Sequence, residues 1–318
     1  MQPIGQTLAL QLLQRAIARD RIAPAYLFAG AEGVGRQLAA RTFAALLLGQ
    51  KVPPNRQTAL KQRISAGNHP DFLWVQPTYL HQGKRLTPEE AAAAGVQRKA
   101  RSQIRIEQIR EIAEFVSRSP LEAPRSMVVI EEAQLMGEAA ANALLKTLEE
   151  PGRATLVLIA PSGDALLPTL VSRCQRIPFS PLSREELQQV LERVGRTDIL
   201  SQPDLLAIAQ GSPGAAIRAW EQLQAIPPDL LQKLMEVPRT PLQALELAKE
   251  IDKTLEVETQ LWSIDYLQYT YWQNFLAGAR EQACLHGLEQ ARQALLSYAQ
   301  PRLVWEVTLL GIFAVRNS

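Results

Sequence analysis

"AYLFAGAEGVGRQLAARTFAALLL", Ala25 to Leu48, begins as an apolar run, turns on glycines and continues as an alanine- and leucine-rich helix pattern. A glycine-spaced turn between a strand and a helix offers backbone N–H groups and a helix N-terminus to an anion, which makes it a place for phosphate. Of the phosphate-loop pattern G-x-x-x-x-G-K-[ST], Gly30 and Gly35 are present, with Gly33 between them. Arg36 stands where the lysine belongs and Gln37 where the Ser or Thr belongs. The turn is kept, and the two side chains that do its chemistry are not.

Outward from this turn, "DFLWVQ" (71–76), "SMVVI" (126–130), "ATLVLIA" (154–160) and "QRIPF" (175–179) are further short apolar runs, mostly separated by helical stretches. Strands that alternate with helices predict a parallel sheet covered on both faces. Leu8, Leu12, Leu13, Ala16 and Ile17 recur at helical spacing and predict a helix before the first strand. After Phe179 no further strand pattern appears; Ser183 and Glu186 form a capping-box signature, and Pro227 lies in a linker-like "AIPPDL". The expected architecture is an α/β domain over 1–180, a helical segment over 181–225 and an all-α region over 226–318.

At 318 residues the chain exceeds one ordinary domain, and 47% hydrophobic with 21% charged residues is a globular composition. A net charge of +2 argues neither for nor against nucleic acid. Cys174 and Cys284 give no disulfide framework and suit a reducing cytoplasm. The N-terminal stretch lacks the continuous apolar core of a signal peptide, and no apolar run of about 20 residues is present to span a membrane. Residues 77–103 are polar and alanine-rich; they are expected to form a long surface loop, partly helical over Pro88 to Ala94, with Lys84, Arg85, Arg98, Lys99 and Arg101 as a solvated basic group.

"MVVIEEAQLM" (127–136) is an apolar strand ending in two carboxylates. In nucleotide hydrolases that position carries an Asp for magnesium and a Glu that orients water. Here Glu131 holds the first place and Glu132 the second. Downstream stand "NALLKTLEEP" (142–151) and "LPTLVSRCQRIPF" (167–179), with "HPDF" (69–72) before them. In this order and spacing the chain resembles the AAA+ clamp-loader subunits of bacterial replicative polymerase holoenzymes, clearly over 1 to about 225 and beyond that only by length and position.

The resemblance implies a RecA-like AAA+ domain, a small helical lid and a helical collar that joins several subunits. Within the family the chain is most similar to the stator type, delta-prime, which has lost its phosphate loop. Lysine and hydroxyl are missing at Arg36 and Gln37, Glu131 replaces the magnesium Asp, and "GSPG" (211–214) places Gly214 where motors carry a sensor arginine. Arg218, one turn further, is the other candidate for that place. Loss of these groups together predicts no useful hydrolysis, since phosphoryl transfer depends on charge neutralisation and a bound metal.

Arg173 of "SRC" is the residue expected to stay active: the resemblance implies that it reaches into a neighbouring subunit's ATP site, where an always-charged guanidinium stabilises the transferring phosphate. The implied partners are the motor (tau/gamma-type) and delta subunits, with sliding clamp and primer-template DNA met through the assembly. No cofactor is expected. The small four-cysteine zinc module common in the family is absent upstream of His69, and His69, His81 and His286 lack ligand spacing, so no structural metal is expected either. Trp262, Tyr266, Tyr269 and Gln273 share one helical face, suited to core and to interface alike, with Tyr271 and Trp272 nearer a second face. Two other functions compete: an active ATPase of the same family with an unusual loop, marked by ATP turnover of the isolated chain, and a free-standing AAA+-like DNA-binding helper, which the near-neutral charge disfavours. The chain ends at the expected collar, without the long tail of the longer motor subunit.

Overall fold

The computed structural model describes residues 3–95, 102–236, 238–276 and 282–316. The chain divides into two compact units: 1–197 together with 211–214, and 198–210 together with 215–318. In chain order the first unit carries α1 (Thr7–Ala18), β1 (Ala25–Ala29), α2 (Arg36–Leu48), α3 (Gln57–Ser65), β2 (Phe72–Val75), β3 (Tyr79–His81) and β4 (Lys84–Leu86). It continues with α4 (Pro88–Ala93), α5 (Ile106–Ser117), β5 (Ser126–Ile130), α6 (Glu138–Glu149), β6 (Ala154–Ala160), α7 (Pro168–Val171), β7 (Gln175–Pro178) and α8 (Arg184–Arg193).

Five strands form one parallel sheet in the order β2-β5-β6-β1-β7. β5 and β6 are buried along their whole length. That is why they read as unbroken apolar runs: a strand covered on both faces has no solvent side to alternate with. Each of the five expected strands is present, within a residue or two of its ends. α5 turns Ile109, Ile112 and Val116 inward at helical spacing, and α6 does the same with Ala140, Ala141, Leu144 and Leu148; both faces join the cluster built on Val128, Ile130, Leu156 and Leu158.

The stretch 77–103 differs from the expected loop. It holds an antiparallel hairpin, β3 with β4, closed by Gln82 and Gly83 at φ 49° and 78°. Two successive left-handed residues are what a tight hairpin turn requires, and glycine supplies one of them without strain. Strands of three residues, with polar and basic side chains, leave no alternation to read. The expected helical piece is there as α4, opened by the Thr87–Glu90 capping box. Arg85 makes a forked ion pair with Glu111, whereas Arg98, Lys99 and Arg101 fall outside the described residues.

The second unit is helical: α9 (Pro203–Ala209), α10 (Pro213–Ala225, of which 215–225 lie in this unit), α11 (Pro228–Met235), α12 (Pro241–Thr254), α13 (Val257–Leu276), α14 (Gln282–Leu296) and α15 (Pro301–Arg316). Its core is centred on Trp305 with Ile251, Ile264, Leu267, Leu288 and Leu309. The Trp305 indole donates to Gln260 Oε1 at 2.9 Å, and the same amide donates to the Leu255 carbonyl at 2.8 Å, so this buried polar pair is satisfied. On α13 the core-facing residues are Ile264, Leu267 and Tyr271. The Trp262–Tyr266 pair is stacked at 5.1 Å but only half-buried, and Trp272 is exposed. No helix among the described residues is long and apolar enough to cross a membrane.

Candidate functional site

The loop after β1 has phosphate-cradle geometry. Gly33 and Gly35 take φ 79° and 101°, the left-handed region in which a Cβ is strained. Gly35 is the N-cap of α2, whose first turn has no acidic residue and no side-chain cap. Gly30 is required for a different reason: a Cβ there would lie 2.3 Å from the Phe179 carbonyl oxygen.

The side chains around the cradle are hydrogen-bonded to one another. Gln37 Nε2 donates to Glu131 Oε1, and Trp74 Nε1 donates to Glu131 Oε2 at 2.9 Å. The two positions that would share a magnesium ion in a working site are joined by a direct hydrogen bond. Burial pushes the Glu131 carboxyl up from its ordinary value; the Trp74 hydrogen bond and the Arg41 charge pull against that. Arg41 in turn lies 4.2 Å above the Trp74 ring. Arg36 is 8% exposed, and its Nη1 has no hydrogen-bond partner. Burial lowers its pKa, opposed by Glu32, Glu132 and Glu131. Glu132 adopts φ 47° at the start of a short 3-10 turn.

The "GSPG" stretch closes over the loop backbone. Ser212 Oγ donates to the Glu32 carbonyl at 2.6 Å, and the Gly214 N–H donates to the Gly33 carbonyl at 3.1 Å. A Cβ on Gly214 would lie 2.6 Å from Gly33 Cα. The place of a sensor arginine therefore has no room for any side chain in this conformation. Magnesium and a nucleoside triphosphate are the group that the fold implies. These residues do not fit it: both oxygens of Glu131 are engaged by donors, and the amide of Gln37 turns an N–H toward the carboxylate where a ligand oxygen would be needed. Among the described residues no three of His, Cys, Asp or Glu are grouped to hold a metal ion; the region upstream of His69 is instead filled by α3 and the 3-10 turn before it.

Arg173 lies just past α7 and its side chain is 38% exposed. Its Nη2 pairs with Glu149 Oε1 at 2.7 Å and its Nη1 donates to the Thr169 carbonyl at 3.0 Å. The sequence reading singled out Arg173 but missed Glu149; the signal available was the carboxylate pair that ends "NALLKTLEEP". Cys174 beside it packs against the sheet core, and burial pushes its thiol up to about 11, so it is inert at neutral pH. His69 is buried, with Nδ1 accepting the Asp71 N–H at 3.1 Å. Asp71 is 2% exposed and receives three backbone N–H groups, from Leu121, Glu122 and Ala123, at 2.7–2.8 Å. "HPDF" is thus a structural clasp that ties the loop before β5 to the start of β2.

Two family profiles match in tandem. The one described as DNA polymerase III, delta subunit, covers residues 5–183, more than half of the chain. The one described as cyanobacterial DNA polymerase III delta prime, C-terminal domain, covers 185–312. The DNA polymerase III subunit delta' of Bacillus subtilis is 35% identical over 191 residues, 58% of this chain and 51% of that one. The subunit of the same name in Pseudomonas aeruginosa is 33% identical over 210 residues, 64% of this chain and 58% of that one. The matched region spans little more than half the length of these curated relatives. The Bacillus subtilis tau subunit is 27% identical over 213 residues, a third of its length. A DNA polymerase III gamma subunit-related protein from Thermotoga maritima aligns over 96% of this chain and 98% of its own with a TM-score of 0.50 and 20% identity, which shows a shared fold.

Proposed function

The chain belongs to the delta-prime family of DNA polymerase III clamp-loader subunits, and from that premise we propose that it is a non-hydrolysing stator that assembles with motor (tau/gamma-type) and delta subunits and completes a neighbour's ATP site with Arg173. The observation that carries the non-hydrolysing part is the Gln37–Glu131 hydrogen bond, which stands where a metal would bridge. The buried Arg36 and the closure of Gly214 on Gly33 support it. On this reading the loop is kept as scaffold: its glycines let β1, α2 and the residues after β7 approach closely, while phosphate chemistry has passed to an exposed arginine elsewhere on the chain. Loading of a sliding clamp on primed DNA is then a property of the assembly.

The test is ATP turnover by the purified chain. Hydrolysis is expected to stay at background with magnesium present, and intrinsic tryptophan fluorescence is expected not to respond to the magnesium nucleotide. Steady turnover that Glu132→Gln abolishes would show an active ATPase instead.

Assembly is assigned to the helical second unit. Leu303 and Val307 lie one turn apart on α15 and are 56% and 65% exposed, while Trp305, Leu309 and Ile312 of the same helix are buried. An exposed apolar stripe on a helix whose other face is already packed suits a neighbouring subunit. The double variant Leu303→Glu/Val307→Glu should melt like the wild type and lose roughly tenfold or more in affinity for the reconstituted complex. Co-elution of the variant at full affinity would remove α15 from the interface.

A further inference from the structure

We propose that Glu149 is the positioning residue for Arg173, an inference that rests on the reading of Arg173 as an arginine acting in trans. An exposed arginine on a flexible stem samples many rotamers, and a reaction that uses it must first order it. Here the ordering is done in advance by two acceptors on two different helices. Glu149 is the last residue of α6, and Thr169 lies in α7. Each anchor is carried by a helix with a buried face: Leu144 and Leu148 on α6, Leu170 and Val171 on α7. The contacts reach the two terminal nitrogens of the fork separately, Nη2 to Glu149 Oε1 and Nη1 to the Thr169 carbonyl.

This grip leaves the guanidinium able to work. It has five N–H groups and the two contacts use two of them, so the Nε–H and one N–H on each terminal nitrogen remain for a phosphate. A carboxylate beside a cation that must meet an anion lowers the local positive charge. Its presence is explained by orientation, because a fork held within about an ångström of its working place is what a positioned catalytic group needs.

The test uses the reconstituted assembly of this chain with its neighbouring ATPase subunit, ATP as the probe, and single-turnover as well as steady-state rates. Glu149→Ala is expected to lower kcat at the adjacent site by about tenfold, within the hundredfold that small misplacement can cost, and to leave KM for ATP unchanged. Glu149→Gln, which keeps an acceptor oxygen but no charge, should retain most of the rate. In an Arg173→Ala background the Glu149→Ala change should do nothing further. Glu149 is exposed, so melting of the variants should match the wild type. A faster rate for both Glu149 variants would mean that the carboxylate restrains Arg173, and would overturn positioning. A full rate for Glu149→Ala beside a slow Arg173→Ala would overturn this inference and leave the trans-acting arginine standing. A full rate for Arg173→Ala would overturn both.

Discussion

Replacing Arg173 by alanine is expected to leave the chain folded and the complex assembled, and to slow hydrolysis at the neighbouring ATP site on the order of a thousandfold. Structurally the residue supports little. It stands past α7 with its side chain 38% exposed, and its ion pair with Glu149, itself 54% exposed, is a surface pair. Such pairs contribute about 0–1 kcal/mol, so the melting temperature should hardly move. The kinetic effect is of a different size. A guanidinium placed against a transferring phosphoryl group stabilises charge that develops only in the transition state, and arginines in this role are worth about a thousandfold or more in rate. Bulk hydrolysis by an assembly with several motor sites should fall in part, because only the site beside this subunit fails directly; single-turnover measurement would resolve it as a slow phase. Arg173→Lys should not rescue, since an ammonium keeps the charge but cannot reach Glu149, the Thr169 carbonyl and a phosphate with one planar fork. Equal hydrolysis and clamp loading by the wild-type, Ala and Lys assemblies would make Arg173 an ordinary surface residue.

Much of the sheet could be read from the sequence because its strands are buried on both faces, and burial writes itself as an uninterrupted apolar run such as Ser126–Ile130 or Ala154–Ala160. The β3–β4 hairpin could not, since it is short, polar and closed by Gln82–Gly83 in place of a stronger Asn-Gly signal. On α13 the aromatic pair Trp262 and Tyr266 is only half-buried, with Trp262 packed on the margin of the core, while Ile264, Leu267 and Tyr271 are the residues the helix buries fully; residue type alone does not separate the two environments. At the loop the same division holds. The substitutions at Arg36 and Gln37 are visible one by one against the phosphate-loop pattern, and Glu131 against the carboxylate pair expected at a strand end. That Gln37 and Glu131, 94 positions apart, bond to each other is a fact of topology: parallel β1 and β5, with β6 between them, bring the start of α2 beside the end of β5. Gly214 reads as a lost arginine in sequence, and only its approach to Gly33 shows that no side chain is admitted there. Glu149 escaped notice for the same reason, because its partner lies 24 residues away in another motif.

Asp71→Ala should be among the most destabilising single changes in the first unit. Its carboxylate is 2% exposed and takes three backbone N–H groups in a row, from Leu121, Glu122 and Ala123. Hydrogen bonds to a charged acceptor contribute about 1.5–3 kcal/mol each, and removing the acceptor leaves its donors without a partner. Part of that loss is recovered by water, because Leu121 at the tip of the loop is 81% exposed. A net cost of roughly 3–4 kcal/mol results, at the upper end of what single substitutions do. The damage should be local first. Loop 118–125 leads directly into β5, whose first residues pair with β2 and β6, so freeing the loop frays Ser126 and Met127 at the N-terminal end of that strand. Asp71→Asn, with one carbonyl oxygen left to accept, should fall between wild type and alanine. Hydrogen exchange is the direct readout: the amides of Leu121–Ala123 should lose protection in Asp71→Ala before the strands do, and the urea midpoint at which the β5 amides lose protection should drop in the order wild type, Asn, Ala. Full protection of those amides in the alanine variant would show that the clasp on Asp71 is dispensable and that "HPDF" owes its place to something other than this loop.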